Sequence, residues 1–544
     1  MTRTLIVGGE VLDGTGREAI AADVLVDGDR IVQVGPDIPT READLVLDAT
    51  GRTVAPGFID IHSHYDAQIF WDPALSSSCH HGVTSVINGN CGFSLAPYTN
   101  ANRPLVIRML RDLEDMYTDA LEAAVPAEIP SFGRYLADVE RCGPMLNFGS
   151  FVGHSTVRIA VMGEAAYERT ASPEEVAAMA ALVDEALKAG AMGLATKSMK
   201  GLRPAPSQFG AADETMALLK VLGAHGRGVA MFSAGGDFDL EQVYATQAEI
   251  ARPFTWIALL GMRDGSHNAR VEMHRKWRER GADVHPQVSC RPLVAECRMS
   301  LPAPLRALML TALNGRPDAE RLAAYASPEW RARARVDVVT ASGPVEWDQV
   351  VLLESLSQPA MAGRTLLSLG QERNLHPLDV LLDLAVADRL MTKIIVISGN
   401  GDPVEVTKLL NVEGAVLGLS DAGAHPTQTC DSVLSTDLLG NWVRERGALS
   451  LETAVHKLTQ EPALMMGMKD RGVVAPGYFA DLVVFDPKTV GPGEFRTVAD
   501  LPAGRERLLA DHPTGMHHVL VNGVPIRQDE QTRRVSSGRL LQPS

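Results

Sequence analysis

Three features of this 544-residue sequence predict an α/β fold, a TIM-like (β/α)8 barrel accompanied by a β-domain built from both termini. Short strand-and-turn patterns occupy the two ends, strand-like and helix-like segments alternate through the middle, and polar candidate ligands fall where strand-like runs stop. Alternation of this kind is the grammar of parallel βα units. A closed barrel is the favoured arrangement, because it gathers the strand ends and their polar residues on one face.

The opening runs TLIVGGEVL and ADVLVDGDRIVQVG place Asp-Gly between apolar stretches, a hairpin signal. Near the other end, DLVVFDP and HHVLVNGVPIRQ repeat the pattern with Asn-Gly at the turn. The segments 1–55 and 470–544 are therefore expected to pair into one domain, leaving 56–469 for the barrel. Inside that span GVTSVINGN, MLNFGSFVG, AMGLATK, VAMFSA and NVEGAVLGLSDAG read as strands, and PEEVAAMAALVDEALKAG and ETMALLKVLGAHGRG as helices. From about 263 to 344 the chain is rich in Arg, Pro and charge, too long for an ordinary connection, so an insertion over the barrel mouth is expected.

A hydrophobic content of 45% supports a large core, and a net charge of −16 opposes binding to nucleic acid or to anionic membranes. Six cysteines, Cys79, Cys91, Cys142, Cys290, Cys297 and Cys430, lack CxxC spacing, which argues against a disulfide framework and for a reducing cytoplasm. The first residues lack a basic head followed by an apolar run, and no stretch of roughly 18 apolar residues follows. The expected setting is cytoplasmic, with a small-molecule substrate as partner, neither nucleic acid nor membrane, and self-association into a homo-oligomer left open.

In APGFIDIHSHYD the spacing of His62 and His64 sends both imidazoles to one face of an extended segment, where two histidines can grip a divalent metal. The apolar run in VLGLSDAGAH delivers Asp421 at a strand terminus, where a carboxylate can act on water near that metal; capping of the next turn is the structural alternative.

PGFIDIHSHYD, NGNCGFSLAP, LSDAGAH and RGVVAPGYFADLVVFDP, in that order, resemble the motifs of the amidohydrolase superfamily, in particular the N-acyl-D-amino-acid deacylases. The resemblance runs almost end to end. It implies a barrel flanked by a small β-sandwich made from both termini, with one or two divalent metals, zinc foremost. The implied reaction is hydrolysis of a linear amide by metal-activated water, with Asp421 as general base. It also implies that Cys91 of the GNCG motif is a zinc ligand, and a thiolate suits zinc.

The sequence departs from the family at two places. Deacylases of this kind take further histidines from the fifth and sixth strands, whereas here GRGVAMFSAGG ends on Phe232, Ser233 and Ala234, and PFTWIALLGMRD on Leu260, Gly261 and Met262. Lys197, at the end of AMGLATK, is the substitute candidate, because other amidohydrolases carry a carboxylated lysine at that strand; contact with a substrate carboxylate and plain surface charge stay open beside it. The metal set expected is His62, His64, Cys91, Lys197 and Asp421. His154, in a segment similar to the family's GHGTLR-like one, is a substrate-binding candidate beside a structural role, and so are Arg158 and Arg291, since an arginine can clamp a carboxylate. Two other functions compete: cyclic-amide hydrolysis of the hydantoinase or dihydropyrimidinase type, and a ligand-depleted, non-catalytic homologue.

Overall fold

Strands from the two chain ends hydrogen-bond to one another in the computed structural model, which describes residues 2–200, 204–299, 310, 312, 313, 316–340 and 345–543. Part of the expected 263–344 insertion lies outside these residues. The chain divides into two compact units: Met1–Leu260, Ser266–Arg291 and Thr407–Ser544 form the larger, Gly261–Gly265 and Pro292–Val406 the smaller.

In the larger unit a nine-stranded sheet runs in the order Gln531–Thr532, Val524–Gln528, Met516–Val521, Leu482–Phe485, Thr53–Pro56, Arg3–Val11, Ile20–Asp27, Arg30–Gly35, with Leu45–Asp48 beside Arg3–Val11. The two ends meet where Leu482–Phe485 pairs antiparallel with Thr53–Pro56. Asn522 and Gly523 both have positive φ, as a tight hairpin turn with the strands' own twist requires. Ile6, Val24, Val54, Leu482, Val484 and Leu520 pack into one fully buried cluster, each worth roughly 1.5–3 kcal/mol of apolar transfer.

Two parallel series follow. Phe58–Asp60, Val83–Asn88 and Asn147–Ser150 form the first. Val152–Gly153, Gly193–Lys197, Val229–Ser233, Phe254–Ile257, Val284–Val288 and Val416–Leu417 form the second, all in parallel register. Backbone bonds link the series at both ends: Phe151 N donates to Asn88 O (2.9 Å), Asp421 N to His62 O (3.1 Å) and His64 N to Ala422 O (2.7 Å). Helices Pro173–Ala189, Ala212–His225, Leu240–Ile250 and His267–Glu279 alternate with these strands, so the unit is α/β.

Local sequence explains the alternation. Pro173–Ala189 begins with a capping box between Ser172 and Glu175 and stops at Gly190 in the left-handed region. The next strand starts at Gly193, whose φ of +144° and whose approach to Val229 O, 1.9 Å from where a Cβ would stand, admit only glycine.

The smaller unit has a three-stranded antiparallel sheet with Lys393–Gly399 central between Leu293–Arg298 and Val350–Glu354. Leu352, Leu366, Leu378, Leu381 and Ile394 make its core with the helices Leu366–Arg373 and Pro377–Ala387. No helix among the described residues is long and apolar enough to cross a membrane.

Candidate metal centre

The His62–His64 segment leaves the strand Phe58–Asp60 and is pinned from several sides. Asp60 Oδ1 accepts the His62 N–H (3.0 Å) and its Oδ2 accepts the Ser420 hydroxyl (2.6 Å). Asn88, at the end of Val83–Asn88, accepts from Tyr65 N (2.9 Å) and Ser63 Oγ (2.8 Å). Asn90 donates to the carbonyls of Ile87 (2.9 Å) and Ile61 (3.3 Å). The two asparagines of NGNCG thus tie this turn to the histidine segment, and Cys91 is delivered between them and Phe93. Cys91, Asp421 and His425 all have φ between 44° and 57°, a left-handed conformation that costs a non-glycine residue about 1 kcal/mol or more.

The structure brings four of the sequence-predicted ligands together. One donor atom each from His62, His64 and Cys91 lie within 4.8 Å of one another. His62 Nε2 is 3.6 Å from Cys91 Sγ and 3.1 Å from Asp421 Oδ1, and His64 Nε2 is 3.7 Å from the same carboxylate oxygen. His62 is fully buried and His64 almost so, while the Asp421 side chain keeps 27% of its surface. His62 Nδ1 bonds to Gln287 Oε1 at 2.7 Å. A carbonyl oxygen only accepts, so Nδ1 donates to Gln287 and Nε2 is the nitrogen that faces the centre, where it donates to Asp421 and would give up that proton to ligate a metal.

The electrostatics follow from this crowding. Burial disfavours charge on His62, yet the Cys91 thiolate and the Asp421 carboxylate raise its pKa to about 10. Burial likewise opposes ionisation of Cys91, but His62 and His64 bring its pKa down to about 6. Asp421 is held well below the usual carboxylate range: burial works against the charge and hydrogen bonds from His62 and His64 overcome it. Anionic donors facing imidazoles are what a divalent cation would replace protons in.

The remaining candidates have other partners. Lys197 ends the strand Gly193–Lys197 with its ammonium 5.5 Å from the centre of the Phe93 ring, two residues beyond Cys91. His154 and Arg158, expected at the substrate, instead lie fully buried around Glu214: His154 Nε2 is 2.6 Å from Glu214 Oε1, Arg158 is bonded to both carboxylate oxygens, and Arg158 also donates to Arg169 O (2.7 Å). A guanidinium so paired has its charge neutralised inside the protein. Arg291, expected to clamp a substrate carboxylate, is bonded to Asp431 (2.8 Å) and lies 3.5 Å from Asp437. The strands Val229–Ser233 and Phe254–Ile257 end without a histidine.

Three residues at the centre escape a reading of the sequence. Glu114, in the helix Arg103–Glu114, puts Oε2 3.8 Å from His64 Nε2 and 3.8 Å from His425 Nε2. Gln287 orients His62 from the strand Val284–Val288. Nothing in the sequence marks Glu114 or Gln287. His425 does carry a signal, since it closes the LSDAGAH motif, and it bonds Asp115 Oδ2 at 2.7 Å.

Comparison with known proteins places the chain in a family. The sequence signature of an amidohydrolase family matches residues 45–315 and 377–526. A D-aminoacylase of Alcaligenes xylosoxydans xylosoxydans is 30% identical, with 99% of this chain and 97% of that protein covered. An N-acyl-D-aspartate deacylase of the same organism is 28% identical, covering 99% and 95%. The crystal structure of N-acyl-D-glutamate deacylase from Bordetella bronchiseptica, complexed with zinc and a phosphonate inhibitor that mimics the tetrahedral intermediate, superimposes with a TM-score of 0.68 at 26% identity over 99% of both chains. The chain belongs to the amidohydrolase family, within its D-aminoacylase-like branch.

Proposed function

We propose that the protein is a metal-dependent hydrolase of linear N-acyl amides, N-acyl-D-amino acids foremost, acting on carbon–nitrogen bonds other than peptide bonds. One observation carries the reading: His62, His64 and Cys91 offer two nitrogens and a sulfur within 4.8 Å, with the Asp421 carboxylate 3.1 Å from His62. This donor set fits zinc. Zn–N and Zn–S bonds of roughly 2.0–2.3 Å in a tetrahedral arrangement put ligand atoms about 3.3–3.8 Å apart, and His62 and Cys91 stand 3.6 Å apart. The zinc of the solved N-acyl-D-glutamate deacylase supports the same choice.

In this reading His62, His64 and Cys91 hold the metal, Asp421 borders it, and Lys197 is the remaining candidate donor. The metal, when bound, supplies Lewis acidity toward the amide carbonyl and lowers the pKa of water beside it. Asp421, kept anionic and partly exposed, accepts the proton of the attacking water as oxygen adds to the carbonyl carbon. It then returns that proton to the nitrogen as the C–N bond breaks, leaving a carboxylic acid and an amine. Gln287 keeps His62 in the tautomer the site needs.

The same reading includes a (β/α)8 barrel. Its support is the two parallel series and the backbone bonds that link them at Phe151, His64 and Asp421. Within the proposed division, 1–55 and 470–544 form the β-sandwich and 56–469 the barrel. The insertion is drawn at 292–406 instead of about 263–344, because His267–Glu279 and Val284–Val288 continue the parallel series. Six free cysteines support a cytoplasmic setting.

Screening purified protein against N-acyl-D- and N-acyl-L-amino acids, with metal content measured in parallel, tests the proposal. Asp421→Asn is expected to lower kcat by about 10²–10⁴ with the fold intact. Unchanged activity in a His62→Ala, His64→Ala double variant would refute the mechanism.

A further inference from the structure

Beside Asp421 a cavity opens whose wall is completed by a segment far along the chain. The antiparallel hairpin of Arg496–Leu501 and Arg505–Leu509 contributes Leu501 and Leu508, and Trp71, Met116, Tyr117 and Leu121 face them. The hairpin is fixed in place: Leu508 N donates to Pro426 O (2.6 Å), and Arg505 pairs with Asp119 (2.8 Å).

Three charged residues line the cavity, and two are already neutralised within the protein. Arg507 bonds Asp500 (2.8 Å), Asp72 (3.2 Å) and the Ser76 carbonyl (2.9 Å). Asp431 is paired with Arg291 (2.8 Å). The third is Asp421, anionic and at the reacting centre. A carboxylate entering here would meet the anionic Asp421 and a cation already saturated by acids, whereas a hydrocarbon group would exchange water for aromatic and aliphatic walls.

We propose that this cavity is the subsite for an apolar, uncharged substituent of the amide substrate, which makes the C-terminal hairpin a specificity element for a reaction at the barrel mouth. The inference rests on the N-acyl amide reading above. The substituent is either the acyl chain or the amino-acid side chain, two sources of the same hydrocarbon chemistry that separate substrates distinguish.

The test compares kcat/KM for N-acetyl-D-alanine, N-acetyl-D-leucine, N-hexanoyl-D-alanine and N-acetyl-D-glutamate. One of the two apolar substrates is expected to exceed N-acetyl-D-alanine at least tenfold, with N-acetyl-D-glutamate below it; a gain with leucine assigns the side chain, a gain with hexanoyl the acyl chain. Leu508→Ala and Leu501→Ala are expected to lower kcat/KM for that apolar substrate about tenfold more than for N-acetyl-D-alanine, a difference that a damaged fold would not produce. Preference for N-acetyl-D-glutamate, or equal losses on every substrate, would overturn the inference. Should no N-acyl-amino acid be turned over, the activity reading fails by itself, and calorimetric binding of hexanamide against acetamide decides the cavity. Hexanamide at least tenfold tighter, with the difference lost in Leu508→Ala, upholds the subsite; equal binding overturns it.

Discussion

Replacing Glu214 by Gln removes the carboxylate charge that faces the buried Arg158 guanidinium directly. Arg158 and Glu214 have side-chain exposures of 0% and 2%, and removing one partner of such a pair costs about 3–5 kcal/mol. A second route gives a similar figure. Burial alone would raise the Glu214 pKa, but His154 and then Arg158 lower it from 4.5 to about 2, which corresponds to about 3 kcal/mol at neutral pH. Between pH 2 and 4.5 the unfolded chain binds a proton at this position that the folded protein does not. The contribution is therefore present above pH 4.5 and lost as pH falls toward 2. Scanning calorimetry should show Glu214→Gln melting roughly 3–5 °C below the wild type at pH 7, with a smaller deficit near pH 3. A combined Arg158→Met, Glu214→Leu variant should recover much of the loss, because a packed apolar pair often matches a buried ion pair. If Arg158→Met instead leaves the melting temperature unchanged and raises KM, the arginine binds substrate and the buried-network reasoning is wrong.

Gln287→Leu, similar in volume, should weaken metal affinity about 10–100-fold by freeing the His62 ring; competition with a chelator measures this, and unaltered affinity would exclude an orienting role. Metal content by mass spectrometry should fall toward zero in the His62→Ala, His64→Ala variant and stay near the wild-type value in Arg291→Gln, whose partners are Asp431 and Asp437. His81 is buried, with Nδ1 at Thr436 Oγ1 (2.8 Å) and Nε2 at Ala510 O (2.6 Å), and burial lowers its pKa to about 3. Stability should thus decline as pH drops from about 6.5 toward 3, where only the unfolded chain protonates this ring. His81→Gln should flatten that part of the profile, leaving the smaller slope from His80, lowered to about 4; an identical profile would refute the assignment.

The centre was legible where its chemistry is local. Two histidines two residues apart after an apolar run, and an aspartate after Val416–Leu417, announce themselves by spacing, and the structure sets them 3.1 and 3.7 Å apart. Glu114 and Gln287 reach the same centre from a helix end and from a strand interior, and only the tertiary path joins them to His62 and His64. For His154 and Arg158 the sequence left a structural role open beside substrate binding. A residue type shows that a side chain can bind a carboxylate, but the carboxylate here is Glu214, on the helix Ala212–His225. The front of the supposed insertion misled for a third reason: His267–Glu279 buries only His267 and His274, so its charged surface reads as irregular chain although it packs as a regular element of the parallel series.

The junction between Thr53–Pro56 and Leu482–Phe485 bears on how the protein is made. During synthesis the N-terminal strands emerge with one edge unpaired, and the partner that covers it is translated several hundred residues later. At roughly 5–20 residues per second, that edge waits tens of seconds on the ribosome. An uncovered strand edge is a template for pairing with other nascent chains. The interval in which this protein is exposed to aggregation is therefore set by the order of its gene, and a stop codon before Leu482 would leave that edge open permanently, whatever the state of the metal centre.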